Sequence, residues 1–307
     1  MSRRSNEGLA QSVKQRLLNL SAERGETFNI LLVRYGIERL LYRLTQSPHR
    51  DQFVLKGATL FAVWTGKPHR PTQDLDLLGF GAPAAERLAA VFREICLTDV
   101  EPDGLEFDPG SVSVQAIRED NVYDGLRVRL LATLGSARIP LQVDVGFGDV
   151  ITPAPRELAF GPLLDLPAPV LRTYPAETVV AEKLDAILKL GMGNSRMKDY
   201  FDLWTLSETM TFGFTALRQA VTATLERRST PMPAELPIGL SDEFASHPTK
   251  EEQWSAFVRK MGTGITAPAL PEIVARIRAF TLPLLGLGEV SASLGDWPAG
   301  GPWRAAD

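Results

Sequence analysis

Apolar residues recur at helical spacing through the first fifty positions. Leu9, Val13, Leu17 and Leu20 lie three or four apart, and Gly25 then breaks the run. A second stretch from Phe28 to Leu44 carries Leu31, Tyr35, Leu41 and Leu44 and ends at Ser47-Pro48. The texture then changes. Phe53-Val54-Leu55 predicts a short apolar strand, Lys56-Gly57-Ala58 a turn, and Thr59–Trp64 a short helix. Thr72–Leu78 predicts a strand, followed by a helix from about Pro83 to Leu97. Ser111–Ile117 and Leu126–Leu131 alternate loosely, whereas Ile139–Phe147 alternates cleanly, with Ile139, Leu141, Val143 and Val145 on one face.

A proline-rich stretch from Thr152 to Pro175 reads as a connection between two halves. Beyond it the period is helical over Ala176–Leu190, Arg196–Met210, Thr215–Arg228, Glu251–Met261 and Pro271–Phe280. The tail from Gly286 has no period. Helices, then a small sheet with helices on it, then a helical half predict an α+β chain rather than repeated βαβ units. The expected division is 1–150 for the N-terminal helices with the sheet, and 151–307 for a mainly helical second domain.

Composition narrows the class. The hydrophobic fraction of 44% and charged fraction of 23% are those of an ordinary globular protein. The opening MSRRSNEG is too polar for a signal peptide, and no apolar run approaches membrane-spanning length. The expectation is a cytoplasmic chain without a membrane partner. The single cysteine, Cys96, falls in an apolar helical stretch and reads as a small buried hydrophobe. His49, His69 and His247 are scattered without zinc spacing. Charge is uneven: the net value is −4, yet residues 1–50 carry +5, with nine Lys or Arg including Arg16, Arg24, Arg34, Arg39 and Arg43. That basic segment reads either as a polyanion footprint or as charged helix surface.

The chemistry concentrates at Thr72-Gln73-Asp74-Leu75-Asp76-Leu77-Leu78. A strand has a side-chain period of two, so Thr72, Asp74 and Asp76 share a face while Leu75 and Leu77 point the other way. Two like charges on one face call for a divalent cation, and hard oxygen donors favour Mg2+ or Mn2+. A solvated strand face is the alternative. Asp144 lies opposite the aliphatic face of its strand; should that strand pair beside Thr72–Leu78, it completes a three-carboxylate cluster able to hold two metal ions. Otherwise Asp144 is an ordinary solvent-facing polar residue.

Lys183 falls inside the apolar stripe of Ala176–Leu190, whereas Glu182, Asp185 and Lys189 lie on its polar side. A lysine so placed either meets an anion, such as a nucleoside triphosphate, or snorkels. Asp199 and Asp202 lie three apart, and on spacing alone they suit a charged outer helix face with local ion pairs. Gly79-Phe80-Gly81-Ala82-Pro83-Ala84 approximates a dinucleotide fingerprint, but a strand bearing Asp74 and Asp76 is unlike the buried apolar strand that fingerprint follows.

Four ordered segments carry a family resemblance: Phe53–Ala58, Arg70–Leu77, Ala181–Ala186 and Arg196–Leu203. Together they resemble the AbiEii/AbiGii toxin family, whose members have a nucleotidyltransferase fold and are the toxic halves of toxin–antitoxin systems. The resemblance implies a nucleotidyltransferase-like mixed sheet with flanking helices, the helical C-terminal half completing the active site. It implies that Asp74 and Asp76 bind metal with a nucleoside triphosphate, and that Lys183 stands at the triphosphate and Asp199 at the active site. Gly57, Ala58, Thr59 and Thr72 become nucleotide-binding candidates. The wider superfamily has Gly-Gly or Gly-Ser in the first turn, where this chain has Gly57-Ala58. Relatives such as the MenT toxins add nucleotides to the 3′ end of tRNA, so RNA is the implied acceptor and a neighbouring antitoxin the implied partner. Transfer to a small molecule or a protein, and a catalytically silent nucleotide- or RNA-binding module, are the competing readings.

Overall fold

The computed structural model describes residues 3–65, 74–119, 123–261, 267–287 and 294–306. They form two compact units, Met1–Gly148 with Arg156–Thr173, and Asp149–Pro155 with Tyr174–Asp307.

The first unit opens with two helices, α1 (Arg3–Arg24) and α2 (Phe28–Gln46). Strand β1 (Phe53–Lys56), helix α3 (Thr59–Thr65), strand β2 (Asp74–Gly79) and helix α4 (Ala85–Leu97) follow. Three long strands come next, β3 (Leu105–Glu119), β4 (Tyr123–Leu134) and β5 (Ala137–Phe147), then two short ones, β6 (Arg156–Ala159) and β7 (Val170–Thr173). They build one mixed sheet in the order β3-β4-β5-β2-β1-β7-β6. β3, β4 and β5 form an antiparallel meander; β5 runs parallel to β2, and β2 antiparallel to β1. This is the α+β architecture that the hydrophobic pattern predicts.

One sheet face is apolar because the period-two residues Leu75, Leu77, Leu126, Val128, Val143 and Val145 are buried together. Helix α2 packs on β5. It comes close because Gly36 has no side chain: a Cβ there would lie 3.0 Å from Leu141 Cδ2 and 3.2 Å from Ile139 Cγ2. Cys96 is buried on α4, as expected, and burial pushes its thiol up to about 11.

Two sequence expectations change. Thr152–Pro175 is not simply a linker, since it contains β6 and β7, and β7 pairs in parallel with β1. The segment Arg156–Thr173 thereby joins the sheet's unit, where a single division at 150/151 would put it in the second half. The basic footprint also shrinks. Arg39 is fully buried, and its Nε lies 3.1 Å from Asp103 Oδ2. Arg43 Nη1 donates to the same oxygen at 2.6 Å. Arg34 pairs with Glu26 at 2.7 Å. Of the five arginines, Arg39 and Arg43 are thus buried and Arg34 is half-buried in an ion pair; Arg16 and Arg24 stay exposed on α1.

The second unit is mainly helical: α5 (Ala176–Leu190), α6 (Met197–Thr209), α7 (Phe214–Arg227), α8 (Asp242–Ala245), α9 (Pro248–Met261) and α10 (Leu270–Thr281). α5 packs on α6 and α7, and α10 on α6. The described end of the aperiodic tail, 294–306, is anchored. Its strand β9 (Asp296–Trp297) pairs with β8 (Phe212–Gly213), and the fully buried Trp297 donates from Nε1 to Ser207 O at 2.8 Å. Among the described residues no helix is long and apolar enough to cross a membrane.

Candidate active site

β2 begins at Asp74, and the alternation Asp74-Leu75-Asp76-Leu77 places both carboxylates on the face opposite the core. Asp74 is exposed, Asp76 half-buried, and Leu75 and Leu77 fully buried. Thr72, the hydroxyl expected beside them, lies outside the described residues. The glycine-bearing loop after β2 is no dinucleotide fingerprint. The helix it opens, α4, leads to β3 at the sheet's far edge rather than to a parallel strand beside β2.

Strand pairing supplies what sequence could not. Lys56 of β1 is opposite Asp76, Asp76 opposite Asp144 of β5, and Asp144 opposite Arg127 of β4. Opposed residues share a sheet face, so the four side chains form one row across four neighbouring strands. The pairing on which the Asp144 assignment depends is present. Its carboxylate, however, is taken by a guanidinium: Arg127 Nε donates to Oδ1 at 2.8 Å and Nη2 to Oδ2 at 2.7 Å. This is the fork geometry of a strong charged pair. No spacing in the sequence points to Arg127, because only the β4–β5 register brings it to Asp144. Among the described residues, no group of three or more His, Cys, Asp or Glu is set to hold a metal ion.

The turn after β1 is shaped around Asp76. Gly57 has φ +77°, in the left-handed region that favours glycine. A Cβ on it would lie 2.7 Å from both Cβ and Cγ of Asp76, and nearer still to Oδ2. The carboxylate therefore rests directly on the Gly57 backbone. Ala58 and Thr59 are buried beyond it, and the Thr59 hydroxyl is buried without a hydrogen-bond partner among the described residues. The Gly57 and Ala58 carbonyls accept from Leu60 N and Phe61 N, at 3.2 Å each, which opens α3. As donors, Asp74 and Asp76 fit a hard cation. Mg2+ is commonly held by one or two carboxylates and keeps its other positions for water and substrate phosphates.

The second unit carries the other sequence candidates. Lys183 on α5 meets an anion, and its own chain supplies it: Nζ lies 2.9 Å from Asp199 Oδ1 and 2.6 Å from Asp202 Oδ2, both on α6. The lysine side chain is 12% exposed and the carboxylates 1% and 0%, so this is a buried ion triad. The outer-face reading of Asp199 and Asp202 fails, because α6 turns both inward toward α5. Arg196 adds a second cation, its Nε 2.7 Å from Asp199 Oδ2. Burial by itself would raise the Asp199 carboxyl, but Lys183 and Arg196 outweigh it and hold it below the usual carboxylate range.

A second cluster sits on the same helix. Asp185, expected on the polar side of α5, is buried against Arg228, whose Nη1 is 3.2 Å away. Arg228 Nη2 also reaches Asp149 at 2.9 Å and Glu182 at 3.2 Å. One arginine thus ties α5 to the start of the 149–155 segment.

A protein-family model described as Nucleotidyl transferase AbiEii toxin, Type IV TA system, matches residues 39–276. Two solved structures from Helicobacter pylori are similar to the chain. One, which bears a nucleotidyltransferase designation, is 15% identical with a TM-score of 0.43, covering 81% of this chain and 91% of that one. The other, JHP933, is 14% identical with a TM-score of 0.43, covering 81% of this chain and 88% of that one. No curated protein sequence is matched.

Proposed function

The chain belongs to the AbiEii nucleotidyl transferase toxin family, and from that premise we propose that it moves a nucleotidyl group from a nucleoside triphosphate onto RNA, at the 3′ end of a tRNA, in a Mg2+- or Mn2+-dependent reaction. The observation that carries this reading is the pair Asp74 and Asp76 on one strand face, with the Asp76 carboxylate resting on Gly57. A membership of this kind implies an antitoxin partner, and action in the cytoplasm is part of the same proposal.

The reaction is in-line attack by an acceptor hydroxyl on the α-phosphorus. An oxygen–phosphorus bond forms as the bond to the bridging oxygen breaks, and pyrophosphate leaves. A divalent cation, when bound, supplies positive charge to the phosphate oxygens. Asp74 and Asp76 would hold that charge in place, and the proton of the acceptor hydroxyl passes to solvent water. Gly57 lets Asp76 sit against the chain, and Ala58 and Thr59, with Thr72, complete the nucleotide-binding set. Lys183 is assigned to the charge of the triphosphate, and Asp199, kept ionised by its neighbours, holds the lysine's ammonium in one position.

The test is incubation with labelled nucleotides, Mg2+ and total RNA. Label should appear on RNA, and Asp74→Asn and Asp76→Asn should each abolish it while the fold is retained, because a neutral amide does not balance a cation. Incorporation close to wild type in either variant would remove the central assignment. Label on a protein or small molecule would redirect the acceptor, and binding without transfer would leave a silent nucleotide-binding module.

A further inference from the structure

We infer that the carboxylate face of β2 and β5 takes one divalent cation rather than two, because the Arg127 guanidinium occupies the place that a second would need. The inference rests on the proposed metal role of Asp74 and Asp76 and deepens it.

The row across the sheet reads Lys56, Asp76, Asp144, Arg127, with each residue opposite the next. Cationic side chains stand at its two ends and carboxylates at its centre, so formal charges cancel over the row. Asp74 adds one further negative charge at the start of β2. A cation held between Asp74 and Asp76 meets an acidic pair on one strand. A second, bridging Asp76 to Asp144, would have to compete with Arg127 for both Asp144 oxygens, which it holds at 2.8 and 2.7 Å. Displacing a bidentate guanidinium breaks both of these charged hydrogen bonds. The Arg127 and Asp144 side chains are 29% and 21% exposed, so water compensates only part of that loss. Arginine keeps its charge throughout the working pH range, so the guanidinium beside Asp144 remains a cation there. Arg127 is therefore a positioning residue: it keeps Asp144 out of the metal's coordination and delivers a fixed positive charge two strands from Asp74 and Asp76.

The test is titration of the purified full chain with Mn2+ alone, followed by electron paramagnetic resonance and calorimetry. Wild type should bind one Mn2+. Asp144→Asn should still bind one, with affinity within about threefold of wild type, whereas Asp76→Asn should lose it. Arg127→Gln frees Asp144 and should add a second site, which the Arg127→Gln, Asp144→Asn double variant removes. Two Mn2+ bound by wild type, or a tenfold weakening in Asp144→Asn, would overturn the single-cation assignment while leaving the metal role of Asp74 and Asp76 standing. No Mn2+ binding by wild type would overturn that role and this inference with it. Should Arg127→Gln fail to fold, wild-type stoichiometry and the Asp144→Asn affinity still decide.

Discussion

Gly57→Ala adds a single methyl group to a residue whose role in the proposed reaction is to seat Asp76, yet it should disable the site. Two costs follow from the geometry. The backbone at position 57 has φ +77°, which for a residue with a Cβ costs about 1–2 kcal/mol. The new methyl would also lie 2.7 Å from Asp76 Cβ and Cγ, well inside ordinary contact, so β2 or the Asp76 side chain must shift. Overpacking of this kind costs about 1–3 kcal/mol. The sum is about 2–5 kcal/mol of lost stability in urea unfolding. The two costs separate in a double-mutant cycle with Asp76→Gly, which deletes the three atoms nearest the new methyl. In that background Gly57→Ala should cost only the backbone term, giving a coupling energy of about 1–3 kcal/mol between positions 57 and 76. Because the displaced atoms belong to a proposed metal ligand, Mn2+ affinity should fall by about tenfold or more for a loss of about 1.4 kcal/mol. A Gly57→Ala protein with wild-type stability and Mn2+ affinity, or a cycle with zero coupling, would refute the claim that glycine is needed at 57 to seat Asp76.

Lys183→Met should cost about 3–5 kcal/mol, because it leaves Asp199 and Asp202 buried without their shared cation. Adding Asp202→Asn should restore part of that loss in urea unfolding, and a Lys183→Met protein as stable as wild type would show that the triad does not anchor α5 to α6. The Asp199 carboxyl is held below its unfolded value of about 3.8, so its contribution to stability is complete above that value and is lost as pH falls through the lower, folded one. The stability–pH profile of Asp199→Asn should therefore be flatter than wild type below about pH 4; identical acid limbs would count against the pairing. If α1 meets RNA, replacing Arg16 and Arg24 with glutamine should reduce the salt slope of RNA binding by about 0.7–0.9 for each phosphate no longer neutralised. Arg39→Gln should instead destabilise the fold, since that arginine is buried on Asp103; a purely RNA-binding defect in a stable Arg39→Gln protein would contradict this division.

Local periodicity is enough to place most elements of this chain. The helices of the second unit, the cleanly alternating β5 and the strand carrying Asp74 and Asp76 are legible because helix and strand periods are properties of neighbouring residues. The same local rule puts Asp74 and Asp76 on one face and Lys183 inside an apolar stripe in need of an anion. Pairing is not local. Composition marks Thr152–Pro175 as a connection, and only the parallel contact of β7 with β1 makes part of it sheet. The row of Lys56, Asp76, Asp144 and Arg127 depends on strand order across about ninety residues of chain, so no spacing in the sequence announces that Asp144 meets a guanidinium. Charges behave likewise: Arg39, Arg43, Asp199 and Asp202 read as surface residues because single charged side chains usually are. They are buried because each finds an opposite charge supplied by a distant segment, and that compensation exists only once the chain has folded.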